Sequence, residues 1–275
     1  RCGRRAGARG ALAPSLTQPE MKSSAAVVAL LALAPLTAIG QVTASLVADG
    51  KSVQPGKPFT VALRLDHQPP WHTYWINAGT GYPTAIDWQL PAQWSAGAID
   101  WPTPEKILDS SGQITGHGYH GIAYLPVTVT PPKSIAARDI TLHAVARWLM
   151  CADVCIPGKQ PVSLTLPVSQ AAPEPDSSVR AGLATMAMPR EADGWDVHAL
   201  RSENSVVLRV SGGGALESPH FFSEDAFIQY DGPQSVSQRA RTVAVTLPMA
   251  EGGVEGTSSV AAIRSTSRCR SGSAG

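Results

Sequence analysis

Two cysteines separated by three residues are the side chains in this sequence best suited to chemistry: Cys151 and Cys155, in the segment Cys-Ala-Asp-Val-Cys. Thiol–disulfide exchange proceeds by attack of a thiolate on a disulfide sulfur, so a close cysteine pair with one reachable sulfur suits that reaction. The alternative is a local structural bridge. Because the entropy gained from a disulfide grows with the length of the loop it closes, so short a bridge stabilises a fold only slightly. The spacing therefore favours redox exchange.

The same spacing requires a turn between the cysteines. Residues four apart in an extended strand are separated by roughly 13 Å, whereas disulfide-bonded Cα atoms lie about 4.4–6.8 Å apart. One helical turn or the end of a tight hairpin satisfies this requirement. The following Ile156-Pro157-Gly158 is typical of a turn, so the pair is predicted to lie at a strand end or loop tip.

Charged residues near the pair have opposing effects. Arg147 and Lys159 would favour a thiolate, and Asp153, between the two cysteines, would oppose it. Which cysteine attacks is left open by these residues.

The segment from Trp71 to Trp75 is a second candidate, because it alternates in the manner of a strand. Trp71, Thr73 and Trp75 share one face, where core packing is the favoured role of the tryptophans. His72 and Tyr74 share the other face. We hypothesise that these two residues line the approach to the cysteines.

His117 and His120 lie in a segment, His-Gly-Tyr-His-Gly, that is expected to be a glycine-rich loop. Imidazole and thiolate ligands suit copper and zinc, so a metal site shared with the cysteines is an alternative. Solvated loop histidines are the interpretation we favour, and neither a metal ligand nor a cofactor-binding residue is predicted.

The sequence contains no glycine-rich phosphate loop, serine elbow or H-E-x-x-H pattern, so hydrolase and nucleotide chemistry have no support.

The two ends of the chain differ in composition from its middle. Residues 1–20 are rich in Arg, Gly and Ala and are interpreted as a non-structural leader. Residues 21–40 have a positively charged start, an apolar run and then small residues, so they are interpreted as a signal peptide. Residues 251–275 are interpreted as a disordered or aberrant tail. Cys2 and Cys269 lie in these ends, and export puts the remaining pair in an oxidising compartment.

The charge of the middle of the chain bears on its partners. Residues 41–250 contain 14 Lys and Arg against 18 Asp and Glu, a net charge of −4. This balance argues against nucleic acid as a partner. After residue 40 no segment approaches the roughly 20 apolar residues that a membrane span needs.

Short segments rich in β-branched and aromatic residues recur between Pro and Gly breaks, which is typical of an antiparallel β-sandwich. The predicted strands are Val42–Ala48, Phe59–Leu65, Ala85–Leu90, Ile122–Thr130, Ile140–Leu149 and Val162–Val168. In Phe59–Leu65 every second residue is apolar, and Leu142, Ala144, Ala146 and Trp148 follow the same alternation, so one side of each strand faces a core. The sequence therefore predicts an all-β fold, with a sandwich over residues 41–169.

The remaining part of the chain predicts a linker and a second module. Residues 170–190 indicate a linker with one short helix. Strands at Trp195–Leu200, Val206–Val210, Ala226–Tyr230 and Thr242–Leu247 predict a β module over residues 191–250. Four strands make a thin module, incomplete by itself, because a small sheet needs a partner face to be stable.

Over residues 41–250 the sequence resembles the periplasmic N-terminal region of the DsbD and ScsB thiol:disulfide interchange proteins. The motifs that carry the resemblance are Trp71-His72-Thr73-Tyr74-Trp75-Ile76-Asn77, Pro83-Thr84, Asp87-Trp88-Gln89-Leu90-Pro91, Trp94, Trp101-Pro102, Gly118-Tyr119-His120-Gly121, and Trp148-Leu149-Met150-Cys151 with Cys155-Ile156-Pro157-Gly158. Several independent motifs in the right order make it specific.

The resemblance implies an immunoglobulin-like domain in the bacterial periplasm, acting as part of a protein-disulfide reductase. In that family a membrane domain passes electrons from the cytoplasm to a cysteine pair on this module, which reduces periplasmic thioredoxin-like proteins. Cys151 and Cys155 match that pair, and their three-residue spacer is closest to the copper-tolerance branch. The membrane electron carrier and the thioredoxin-like domain have no counterpart here, so a truncated N-terminal piece is expected.

The leading hypothesis is therefore a periplasmic thiol–disulfide interchange module in which Cys151 and Cys155 cycle between dithiol and disulfide. One alternative is a copper-binding module that uses the same sulfurs. The other is a non-catalytic immunoglobulin-like binding module with a structural disulfide.

Overall fold

The structure is a computed structural model, and it describes residues 41–188, 195–212, 218–224, 226–239, 241–251 and 262–264. The leader, the signal peptide, residues 252–261 and 265–275 of the predicted tail, Cys2 and Cys269 lie outside the described residues. The predictions for these parts of the chain stay predictions.

Strands dominate the described part of the chain. Between residues 41 and 167 they are β1 (Val42–Ala48), β2 (Phe59–His67), β3 (His72–Gly79), β4 (Ala85–Gln89), β5 (Ser95–Ile99), β6 (Glu105–Leu108), β7 (Ile114–Tyr119), β8 (Ile122–Thr130), β9 (Asp139–Cys151) and β10 (Cys155–Pro167). The later elements are α1 (Ser177–Thr185), β11 (Trp195–Arg201), β12 (Ser205–Gly212), β13 (His220–Phe222), β14 (Ser235–Arg239), β15 (Thr242–Pro248) and β16 (Ala262–Arg264).

Two antiparallel sheets build the sandwich. One has the order β1-β2-β8-β5 and the other β10-β9-β3-β7-β6, with β4 also pairing with β9. The apolar side chains of both sheets meet in a single core, which includes Leu63, Leu125, Leu142 and Trp148. The all-β sandwich is thereby confirmed, and so is the inward alternation expected of β2 and β9.

The side chain of Gln160 joins the edges of the two sheets. Its Nε2 donates to the carbonyl of Ala44 at 2.8 Å, and its Oε1 accepts from the N–H of Ala44 at 3.1 Å. An amide side chain on edge strand β10 thus pairs with the backbone of edge strand β1. An unpaired edge is a site for unwanted strand addition, and this bond pair covers part of it.

Three sequence expectations are wrong. Ile156-Pro157-Gly158 is not a turn but the start of β10, paired with Met150, Leu149 and Trp148. An edge strand tolerates Pro157 because the missing N–H faces away from the ladder. The segment expected to be a glycine-rich loop around His117 belongs to β7, and Ala226–Tyr230 is mostly turn with one isolated bridge, from Ile228 to Met249.

The linker helix forms where the sequence predicts it. Asp176 caps α1, its carboxylate accepting from the N–H groups of Ser178 and Val179. These bonds satisfy backbone donors that have no partner inside the helix. Within the described residues no helix is long and apolar enough to span a membrane.

The second module contains a four-stranded sheet, β11-β12-β15-β14, and a short pair, β13-β16. The four-stranded sheet shares a core with Phe221 and Ile228 of the same module, and the segment around β13 contacts the sandwich. The ring of Phe222 packs 6.2 Å from that of Trp75, and Asn77 Nδ2 donates to the carbonyl of Ser223 at 2.9 Å. The domain limits given above stay predictions, and residues 189–194 of the linker lie outside the described part.

Candidate functional site: a disulfide at a hairpin tip

Cys151 and Cys155 close a long hairpin. Strands β9 and β10 pair without a bulge from Asp139 opposite Pro167 to Cys151 opposite Cys155. The three residues between the cysteines form the turn, in which the N–H of Ala152 donates to the carbonyl of Val154 at 3.1 Å. The sulfurs are bonded, with the Cα atoms 4.1 Å apart. The expected turn between the cysteines is therefore a hairpin end.

The two cysteines differ in exposure. Cys151 is 2% exposed and packs in a small cluster with Tyr74, Leu149 and Ile107. Cys155 is exposed at the start of the edge strand β10. The side chain that an incoming protein can reach is therefore that of Cys155.

Apolar side chains flank the exposed cysteine. Val154 is 61% exposed and Ile156 is 37% exposed. An apolar rim beside a reactive group is typical of a surface that contacts another protein.

A line of side chains continues from the disulfide across the second sheet. His72 on β3 is the register partner of Cys151, on the side opposite Cys155. The rings of His72 and His120 lie 5.3 Å apart, and His120 Nδ1 lies 3.5 Å from Glu105 Oε2. We call Cys155, Cys151, His72, His120 and Glu105 the cross-sheet row. Sequence reasoning suggested His72 near the cysteines and considered His120 only as a metal ligand shared with them. It missed Glu105, because only strand pairing brings these side chains together.

His72 is enclosed within this row. It is 8% exposed, its ring packs at 5.3 Å against that of Tyr74, and its Nε2 has no hydrogen-bond partner among the described residues. Burial, together with the charges of His120 and His67, lowers the pKa of His72 to about 4. The imidazole is therefore neutral near pH 7.

His67 lies next to the row and has a defined tautomer. Its Nδ1 lies 2.6 Å from the carbonyl oxygen of Gly121, so Nδ1 must donate. Its Nε2 then accepts from the hydroxyl of Thr73, at 2.9 Å. Burial lowers the pKa of His67, which favours this neutral, fully bonded form.

Trp71 and Trp75 have the core role expected of them. Trp75 is 1% exposed, and Trp71 is partly buried against the same core. Tyr74, on the other face, belongs to the cluster around Cys151. The strand alternation proposed for this segment is thus the one that the structure has.

The two basic residues expected to favour a thiolate lie some distance along the hairpin from the sulfurs. Arg147 is four strand residues from Cys151, about 13 Å along β9, and its guanidinium binds the carboxylate of Asp87 at 2.7 Å. Lys159 is equally far along β10 from Cys155. Neither cation is a neighbour of the sulfurs.

His117 and His120 face opposite ways, so they do not share a metal. His117 is 2% exposed, and its ring contacts those of Trp75 and Phe222, on the side away from His72. Among the described residues no group of three His, Cys, Asp or Glu side chains is arranged to hold a metal ion.

These features define a class: a β-sandwich domain with a partly exposed disulfide at a hairpin tip. Residues 43–167 match the family model described as "Thiol:disulfide interchange protein DsbD, N-terminal". The match runs from β1 to β10, and so it supports a DsbD-type N-terminal domain over the sandwich.

Among solved structures, the chain is similar to the N-terminal periplasmic domain of ScsB from Proteus mirabilis. The two are 20% identical, the match covers 78% of this chain and 82% of that one, and the TM-score is 0.52. At this identity the likeness concerns the fold. A search of curated proteins returned no match.

Proposed function

We propose that this protein is a periplasmic thiol–disulfide interchange module, which passes reducing equivalents from a membrane electron carrier to oxidised thioredoxin-like proteins. Cys151 and Cys155 cycle between disulfide and dithiol. The observation that carries the proposal is the asymmetry of the disulfide, with Cys155 exposed at the hairpin tip and Cys151 buried beside it.

This asymmetry suits exchange in both directions. A partner thiolate reaches Cys155 and forms a mixed disulfide there, and Cys151 leaves as the second sulfur of the pair. In the reverse direction Cys155 attacks the partner disulfide, and Cys151 then resolves the mixed disulfide. The exposed Val154 and Ile156 provide apolar contact area for the partner.

The first test is a redox titration of the full chain carrying Cys2→Ser and Cys269→Ser, so that Cys151 and Cys155 are the only cysteines whose redox state is measured. We expect a potential in the range of exchange proteins, about −120 to −270 mV, measured by thiol trapping in glutathione or dithiothreitol buffers. A potential below about −300 mV is typical of structural disulfides and would contradict the proposal.

The second test separates the roles of the two cysteines. In the same background, Cys151→Ser leaves an exposed sulfur without a resolving partner, so we expect it to accumulate a mixed disulfide with an oxidised thioredoxin-like protein. Cys155→Ser leaves the buried sulfur and should trap at least about tenfold less, because attack requires access. Non-reducing gel electrophoresis measures both. Equal trapping by the two variants would refute the assignment of Cys155 as the exchanging sulfur.

A further inference from the structure

The cross-sheet row connects the buried sulfur to the surface through two imidazoles. Cys151 and His72 are directly opposite in an antiparallel pair, a position in which Cβ atoms lie about 4.5–5.5 Å apart. The next ring, that of His120, is 5.3 Å from His72. The row ends at Glu105, beside a partly open cavity of about 120 Å³ that both His120 and Glu105 line.

We propose that His72 and His120 form a proton path between solvent and the sulfur of Cys151 during disulfide exchange. The inference rests on the proposed function and specifies how the buried half of the site carries it out. In this role His72 is a positioning and proton-transfer residue, and His120 is its connection to water.

The reaction balances as follows. The thiolate of an incoming dithiol attacks the Sγ of Cys155, the S–S bond breaks, and its electron pair passes to the Sγ of Cys151. A proton from His120, relayed by His72, converts that thiolate to a thiol, and solvent reprotonates His120. The second thiolate of the dithiol then attacks the donor's own sulfur in the mixed disulfide, which releases Cys155 and completes a two-electron transfer. In the reverse direction the same path removes the proton from Cys151.

Cys151 needs such a path because its surroundings solvate an anion poorly. The residue is 2% exposed and packs against Tyr74, Leu149 and Ile107. An uncompensated charge in such a site is costly. The nearest arginine along β9, Arg147, is already bound to Asp87 and lies about 13 Å away. Proton transfer neutralises the sulfur without a neighbouring cation.

His72 has the properties of a relay. A neutral imidazole can accept a proton on one nitrogen and release one from the other, and the Nε2 of His72 is buried without a hydrogen-bond partner among the described residues. The low pKa of His72 means that it does not retain the proton near neutral pH. The titratable groups that face it are His67, Tyr74, His120 and Cys151, with Glu105 beyond His120. Of these, His67 is already committed to Gly121 and Thr73.

The test is the pH profile of disulfide reduction in the chain carrying Cys2→Ser and Cys269→Ser. Dithiothreitol serves as the dithiol, and the rate is divided by its thiolate concentration at each pH from 5.5 to 9. For His72→Gln and His120→Gln we expect the corrected rate to fall about tenfold at pH 6 and to approach the parent rate above pH 8.5, where imidazolium is scarce. His143→Gln is the matched control, since His143 is an exposed histidine on β9.

Two results would overturn the proton path. One is a set of corrected profiles that superimpose for the parent, His72→Gln and His120→Gln. The other is a reduction in rate by the same factor at every pH, which would show a structural role only. If His72→Gln does not fold, His120→Gln carries the test alone, because position 120 is exposed.

The proton path and the proposed function fail in different ways. Unchanged profiles together with a potential in the exchange range contradict only the path. A parent potential below about −300 mV contradicts the exchange function itself, whatever the profiles show.

Discussion

Cys151 and Cys155 are the same residue type, and their strand positions give them different exposure. Both project from one face of the β9–β10 hairpin, yet one is enclosed by Tyr74 and His72 and the other lies at an edge. In the proposed function this difference in exposure separates an attacking sulfur from a resolving sulfur, a distinction that two identical residue types in a sequence do not make.

Gly158, three residues after Cys155, is a position where the neighbouring side chain leaves no room for a Cβ atom. It is the register partner of Trp148, and a Cβ at position 158 would collide with the indole ring, which is 3% exposed and cannot move aside. We expect Gly158→Ala to lower the free energy of unfolding by about 1–3 kcal/mol, measured by urea denaturation. Gly97→Ala is the control, because its Cβ would meet only an ordinary contact with the Thr128 carbonyl. Equal stability of the two variants would contradict this explanation of Gly158.

At the scale of elements, the hairpin that carries the disulfide is secured at its outer edge by one side chain. Because β10 is an edge strand, its position over the first sheet depends on contacts other than a backbone ladder. The two hydrogen bonds between Gln160 and Ala44 supply such a contact five residues from Cys155.

Replacement of Gln160 tests this contact. Gln160→Ala leaves two backbone groups of Ala44 without their partner, and we expect a loss of about 1–3 kcal/mol in the free energy of unfolding. Gln54, which makes one solvent-exposed side-chain hydrogen bond to the carbonyl of Gln170, is the control, and Gln54→Ala should cost less than about 0.5 kcal/mol. Denaturant melts of both variants provide the measurement. A cost for Gln160→Ala no greater than that of the control would exclude a bridging role.

At the scale of the whole molecule, a buried histidine, His117, and a half-buried one, His220, lie where the second module contacts the sandwich. The rings of His117 and His220 lie 6.1 Å apart, and both pack against Phe222. Burial, followed by the charge of Lys106, lowers the pKa of each to about 4. For His117 the backbone of Asn77 acts in the opposite direction and raises the pKa, but it does not cancel the other two effects.

These shifts predict how stability depends on pH. The unfolded chain binds protons at these histidines near pH 6.5 and the folded chain near 4, so stability is fully present above pH 6.5 and is lost as the pH falls towards 4. A shift of this size is worth on the order of 3 kcal/mol for His117 alone. Thermal melts between pH 7.5 and 4 should show a falling midpoint, with a smaller slope in His117→Phe. An unchanged slope in that variant would show that other groups control the acid sensitivity.

Sequence reasoning recovered those parts of the fold that depend on local pattern. The alternation in β1, β2, β8 and β15 located these strands to within two residues. It failed at β7, because the glycines there resemble a loop. In the structure they permit close approach, since a Cβ at Gly118 would strike the backbone of Thr73. The cysteine pair was found from its spacing, but the cross-sheet row was not, because His72 on β3, Glu105 on β6 and His120, just after β7, come beside the hairpin only through tertiary strand pairing.

The hairpin geometry also bears on how sites of this kind can diversify. Cys151 and Cys155 are the last facing pair of the ladder, so the three residues between them lie wholly beyond it. Residues inserted there would enlarge the tip and leave the sulfurs opposite each other, with His72 still beside Cys151. The number of residues between the cysteines can therefore change without altering the geometry of the disulfide. Such changes would alter the shape of the hairpin tip, and different tips would suit different partner proteins.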